Sequence, residues 1–155
     1  MNAPTDRYLV FSLSGKKYAL KLGQTGEVFE AVPTYPVPKV PAFLGEAINV
    51  HGRVVPVLNL GVVLRSGAPL DGDTIVVLDP QIADLALRVE GAISIISAAD
   101  VAAEEAGDGG MIDRFLLYGG DRAAVLEPWK LLQYVEETLS NEMWRINGQD
   151  SYDRG

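Results

Sequence analysis

His51 is the chain's single histidine and stands in Asn49-Val50-His51-Gly52-Arg53, where one apolar run breaks off and another begins. A lone imidazole can be a catalytic base, a metal ligand or a turn residue. Catalysis needs a nucleophile and an orienting carboxylate beside the ring. The sequence holds no Gly-x-Ser-x-Gly elbow or comparable motif. With one histidine and no cysteine, a zinc site of several imidazoles or thiolates cannot form within one chain. Asn49 can hydrogen-bond nearby backbone and Gly52 can take φ > 0, which is the chemistry of a tight turn. The expectation is a turn that fixes Asn49 and Gly52 and displays His51 and Arg53 outward, with position 51 free to vary and no catalytic or metal role.

The carboxylates point the same way. Asp71-Gly72-Asp73 begins like a calcium loop but lacks the further ligands and the distal glutamate, so it is expected to be a turn. Glu104, Glu105 and Asp108 lie in the acidic stretch 100–110. Paired carboxylates can do acid–base chemistry, but nothing in this stretch predicts burial, and a solvated loop is expected. Trp129 is expected to anchor the core. No cofactor or metal is implied.

Composition narrows the partners. The formal charge is −8 and Lys and Arg do not cluster, so nucleic acid is not an expected partner. No apolar run approaches the ~18 residues of a membrane span, and membrane insertion is not expected. The opening MNAPTDRY lacks the features of a signal peptide, so a cytoplasmic location is expected. Hydrophobic residues make up 48% of 155 residues, enough for a real core. The absence of cysteine excludes disulfides.

The elements that position these residues read as short strands. Tyr8–Leu13 is rich in strand formers. Residues 18–22 alternate, and Glu27–Val32 is a further strand. Prolines punctuate 33–41, where a loop is expected. Arg53–Leu60 is a strand in which Pro56 predicts an edge or a bulge. Thr74–Leu78, Leu85–Val89, Ala92–Ile96, Phe115–Tyr118 and Arg122–Leu126 follow as short strands. Pro128 opens a helix expected to end near Asn141, and residues 142–155 are expected to be a flexible tail. The halves repeat: Tyr8–Leu13 matches Thr74–Asp79 at an offset of 66, residues 18–22 match 85–89 at 67, and 52–58 match 121–127 at 69. The reading is mainly β: two small, interleaved barrels of about five strands, over residues 8–66 and 67–127, with a C-terminal helix.

The stretch PAFLGEAINVHGRVVPVLNL resembles the signature of the CheW family of chemotaxis adaptors, P-x-F-[IL]-x-G-[VI]-x-N-[LV]-R-G-x-x-[VI]-P-[VI]-[IV]-D-L. YLVFSLSGKKYALKL, LRVEGAISI and DRAAVLEPWKLLQ look like the same family, and the resemblance covers residues 8–139. It implies two SH3-like barrels with a hydrophobic groove between them and no catalysis. It also implies two partners, the cytoplasmic domain of a chemoreceptor (a methyl-accepting chemotaxis protein) and the regulatory domain of a CheA-type histidine kinase. By this resemblance Glu27 lies on a strand facing the receptor groove, with Thr25, Val28, Leu44 and Glu46 as neighbouring contacts. Asn49, His51 and Arg53 form the contact turn. The sequence departs from the signature at Glu46 (a glycine in the family), at His51 (an arginine) and at Asn59 (an aspartate). Histidine carries less charge than arginine at neutral pH and lacks its bidentate fork, so an altered partner preference or a divergent chemosensory system is expected. A regulatory barrel with a small ligand in the groove is the alternative.

Overall fold

The computed structural model describes residues 6–64 and 72–153, the side chains of residues 42, 62 and 142–153 excepted. In chain order the strands are β1 (Arg7–Leu13), β2 (Lys16–Lys21), β3 (Thr25–Glu30), β4 (Tyr35–Pro36), β5 (Glu46–Val50) and β6 (Arg53–Asn59). The short helix α1 (Leu60–Val63) follows. Then come β7 (Thr74–Leu78), β8 (Ala86–Ser97), β9 (Ala103–Ala106), β10 (Ile112–Tyr118), β11 (Asp121–Leu126) and the helix α2 (Pro128–Asp153).

The strands run side by side in the order β4-β5-β6-β8-β1-β2-β11-β10-β9, with β7 pairing β8 and β3 pairing β7. Two ladders are parallel, β6 with β8 and β11 with β2. Each of these crosses between the halves of the chain. One lobe therefore holds β1, β2, β9, β10, β11 and the end of β8. The other holds β3 to β7 and the start of β8. Among the described residues neither ladder closes on itself. In the first lobe, a capped 3-10 turn at Ala98–Asp100 separates β8 from β9, with the Ser97 hydroxyl accepting from Ala99 N–H and Asp100 from Ser97 N–H. The closed five-stranded ring of the sequence reading is thus an open ladder. The mainly β class and the C-terminal helix hold.

The registers sharpen the repeat. Val10 faces Ala19, and Val77 faces Ala86. This sets β1 onto β7 at an offset of 67, where the sequence alone gave 66. Ala19 pairs with Val125, and Ala86 with Val57. This sets β6 onto β11 at 68, against 69 from residue matching. A slip of one residue exchanges the two faces of a strand, so the correction decides which side chains are equivalent. With it, the cores correspond. Tyr8, Val10, Ala19, Ala123 and Val125 fill one lobe, and their counterparts Ile75, Val77, Ala86, Val55 and Val57 fill the other. The opposite faces of the same strands supply Leu9, Phe11, Leu20 and Leu126 together with Val76, Leu78, Leu87 and Leu58, which form one shared core between the lobes. That is why Tyr8–Phe11 and Ile75–Leu78 are continuous apolar runs: both faces are covered.

Four further elements differ from the sequence reading. Leu85–Val89 and Ala92–Ile96, read as two strands, fall in the single long β8, Ala86–Ser97, with Leu85 just before it. Gly91, at φ 74, lies where its partners change from β6 and β7 to β1. The acidic stretch 100–110 contains β9, paired with β10. All four of its residues are exposed, so ladder hydrogen bonds rather than burial form it. The proline segment contains the two-residue β4 against β5. The C-terminal helix runs to Asp153 rather than Asn141. Glu127 starts it, its carboxylate accepting from Trp129 N–H and its carbonyl from Lys130 and Leu131 N–H. Leu131 and Val135 seat the helix on the shared core. Pro56 stands where β6 is paired on one side only, facing Ala47 just before the parallel ladder begins at Val57. The turn expected at Asp71–Asp73 lies partly outside the described residues.

Candidate functional site

The β5–β6 hairpin closes on the pair Val50 and Arg53. His51 (φ 50) and Gly52 (φ 87) form its two-residue loop. Positive φ at both loop positions is the geometry that matches strand twist in a tight hairpin. Gly52 N–H donates to Asn49 Oδ1 at 2.8 Å, as the turn chemistry predicts. The same device recurs at Ser14-Gly15 (φ 50 and 80) and at Gly119-Gly120 (φ 53 and 82).

Position 51 faces outward, its side chain 74% exposed, and two features narrow what can stand there. Its backbone is left-handed, which β-branched residues resist. Its Nε2 lies 2.5 Å from Glu27 Oε1 on β3. Most of the other expected contact residues are engaged within the chain as well. Arg53 pairs with Asp84. Glu46 accepts from Arg88 at 2.5 Å, and Arg88, only 14% exposed, also donates to the Gly72 carbonyl at 2.6 Å. Thr25 Oγ1 donates to the Leu22 carbonyl at 2.7 Å. Leu44 is buried in the shared core, so it offers no contact surface. Asn59 Oδ1 accepts from Gly61 N–H at 3.0 Å, a local role at the start of α1.

Val28 remains apolar and open, at 38% exposure on β3. It stands opposite Val76 of the shared core, and directly opposed side chains share one face of a sheet. Ile95, 48% exposed near the end of β8, stands opposite Leu9 of the same core. The two residues are repeat mates at the corrected offset of 67, each on a strand paired on that stretch along one side only. They flank the interlobe core from equivalent positions. Sequence reading found Val28 and missed Ile95, although the repeat offset carries one onto the other. It also missed Val54, 75% exposed beside the hairpin turn.

Other chemistry-bearing side chains are held structurally. Glu104 lies 3.6 Å from Arg114, and Glu105 lies 3.8 Å from Arg122. Asp108 accepts from Gly110 N–H at 2.8 Å and Ile112 N–H at 3.3 Å. Arg114 donates to the Tyr8 hydroxyl at 2.6 Å and pairs with Asp113. Burial pushes the Tyr8 phenol above its ordinary value, against the lowering effect of Arg114. A cavity of about 480 Å³ is floored by Tyr18, Ile112, Phe115 and Ala124 and rimmed by Lys16, Lys17, Asp121 and Arg122. The Arg122 guanidinium lies 3.7 Å above the Phe115 ring. Trp129, expected in the core, is largely exposed. Among the described residues no three His, Cys, Asp or Glu side chains group as metal ligands.

The CheW-like domain profile matches residues 7–136. A search of curated proteins returns no match. Among solved structures, the chain is similar to the scaffolding protein TtCheW from Thermoanaerobacter tengcongensis. That similarity has a TM-score of 0.66 and 19% identity, covering 79% of this chain and 89% of that one. The two-lobed fold and the profile match over most of the chain agree: this protein belongs to the CheW-like domain family.

Proposed function

We propose that this chain is a non-catalytic adaptor that couples the cytoplasmic tip of a chemoreceptor to the regulatory domain of a CheA-type histidine kinase. Membership of the CheW-like domain family, a family of scaffolds, is the observation that carries this reading. The apolar pair Val28 and Ile95 supports it locally. A groove with apolar walls and a few polar anchors suits a helix laid along it, and a receptor tip is helical. The β5–β6 turn, with Val54 beside it, is the kinase-facing surface in this reading. Among the described residues no helix is long and apolar enough to cross a membrane. In this reading the adaptor works in the cytoplasm and is brought to receptor arrays by its partners.

The test is binding of Val28→Asp, Ile95→Asp and Val54→Asp variants to a receptor cytoplasmic domain and to a CheA-type regulatory domain. Charging either groove residue should weaken receptor binding about tenfold, the loss of ~1.4 kcal/mol expected at an apolar contact. Val54→Asp should weaken kinase binding and leave receptor binding intact. Thermal unfolding should stay near wild type, because all three side chains are exposed. Unchanged receptor affinity in both groove variants would remove the groove assignment.

A further inference from the structure

We propose that the cavity of the first lobe is a binding site for a small carboxylate with an apolar body. It is lined from the β1–β2 turn, β2, β10 and β11. Val28, Ile95 and Val54 are not among its walls, so it stands or falls independently of the groove reading.

The two lobes offer the same backbone frame with different side chains. Ala19 on β2 and Ala86 on β8 are equivalent at an offset of 67. The hairpins close on Val50–Arg53 and Tyr118–Asp121, which sets β5 and β6 onto β10 and β11 at 68. At these offsets Lys17 and Asp121 correspond to Asp84 and Arg53. Both couples are ion pairs, with the charges exchanged. That pair therefore belongs to the shared frame. The other polar and aromatic groups of the cavity do not. Lys16, Tyr18, Phe115 and Arg122 have Ala83, Leu85, Ala47 and Val54 as counterparts. One lobe thus carries an ammonium, a phenol, an aromatic ring and a guanidinium where the other keeps the same frame with aliphatic side chains alone.

Three of these groups have unused bonding capacity. Tyr18 is 8% exposed, and its hydroxyl has no hydrogen-bond partner among the described residues. A buried phenol ordinarily finds one. Burial raises its pKa with no bonded group opposing it. Lys16 is exposed beside the turn at Gly15 and makes no ion pair among the described residues. The Arg122 guanidinium lies 3.7 Å over the Phe115 ring, and the Glu105 carboxylate is 3.8 Å from it, beyond hydrogen-bond reach. A guanidinium over an aromatic face keeps its N–H fork for a carboxylate.

These groups select the ligand. A cavity of about 480 Å³ is the size of a small-molecule site. Its floor, formed by Ile112, Phe115, Ala124 and the Tyr18 ring, takes an apolar body. Arg122 and Lys16 at the rim take one acid group, and the Tyr18 hydroxyl donates to a ligand oxygen. Asp121 on the rim and Glu105 beside Arg122 disfavour a second negative charge. That favours a carboxylate over a phosphate dianion. In a chain of net charge −8, the lining still sets Lys16, Lys17 and Arg122 against the single carboxylate of Asp121.

The experiment titrates 2-naphthoate into the full chain and follows backbone amide shifts by NMR. Binding should saturate with a dissociation constant near or below about 1 mM, as suits a ligand of about thirteen non-hydrogen atoms. The shifts should centre on residues 15–18, 112–115 and 121–124. The neutral 2-naphthamide has the same body without the charge and should bind at least about tenfold more weakly. Arg122→Val and Lys16→Ala copy the other lobe at exposed positions, and each should weaken 2-naphthoate about fivefold. Tyr18→Phe keeps the ring stacked on Phe11 and removes only the hydroxyl. It should cost about threefold to tenfold. Shifts that do not saturate, or equal binding of the amide, overturn the proposal. Unchanged affinity in Arg122→Val or in Tyr18→Phe does so as well. Shifts centred on Val28 and Ile95 overturn it by placing the ligand in the groove.

Discussion

A histidine at φ 50 sits in a backbone region that asparagine and glycine occupy more easily. His51 is held there by the two-residue loop, and Glu27 occupies its ring. His51→Val places a β-branched residue in that backbone. It should cost about 1–2 kcal/mol in a denaturant titration, while His51→Gly should cost nothing or stabilise. Glu46 is the other departure from the signature, and it is paired inward. Glu46→Ala would remove the carboxylate from the mostly buried Arg88 and leave it the Gly72 carbonyl. The expected loss is about 1–2 kcal/mol, below that of a fully buried pair because Glu46 is partly exposed. Both positions are therefore paired within the chain itself. The turn chemistry of Asn49 and Gly52 was readable from residue types. The partners of Glu46 and His51 were not, because Arg88 and Glu27 are brought to them by pairing between distant strands.

At the scale of elements, β8 is the hinge of the architecture. Its first half pairs with β6 and β7 and its second half with β1. Gly91 stands at the changeover with φ 74, and a Cβ built on it would lie 3.4 Å from Ser12 Cβ. The β1–β8 register shifts at the same level, between Val10 and Ser12. Gly91→Ala should destabilise by about 1–2 kcal/mol through left-handed strain. Because both lobes hang on β8, the loss should appear equally in amide-exchange protection of β7 and β1. Loss confined to one lobe would show that the two halves of β8 act separately. Glycine inside the apolar run marked this place in the sequence, but the run was still read as two strands. Local pattern cannot tell a strand that bends from a strand that ends.

For the whole molecule, the shared core couples the lobes, and buried phenols set its response to alkali. Burial raises the Tyr18 phenol above its ordinary 10.0. As pH climbs through that ordinary value, the unfolded chain loses its proton first, so stability present below about pH 10 falls above it. Tyr8 and Tyr118 are also raised, chiefly by burial, and act in the same direction. Lys17, raised by its hydrogen bond to Asp121, adds stability that is present below its ordinary 10.5 and lost at higher pH. Denaturant midpoints should hold between about pH 7 and pH 9 and drop beyond about pH 10. Tyr18→Phe removes one titrating group and should shrink that drop. An equal drop in the variant would place the alkaline loss elsewhere.

The sequence by itself determined the strand-rich class, the tight turn at Asn49–Gly52, the helix opened by Pro128 and the existence of a repeat. Each is written in residue type and local spacing: alternating or continuous apolar residues, glycine where φ turns positive, and proline where a helix can begin. The family signature followed from the same local spelling. Tertiary structure alone decided the register of the repeat, because a shift of one residue leaves sequence similarity almost unchanged yet exchanges the buried and exposed faces of a strand. It alone made Ile95 the counterpart of Val28. It alone turned Glu27, Glu46, His51 and Arg53 into partners of other side chains in the same molecule, since those distances are set by ladders joining residues far apart along the chain.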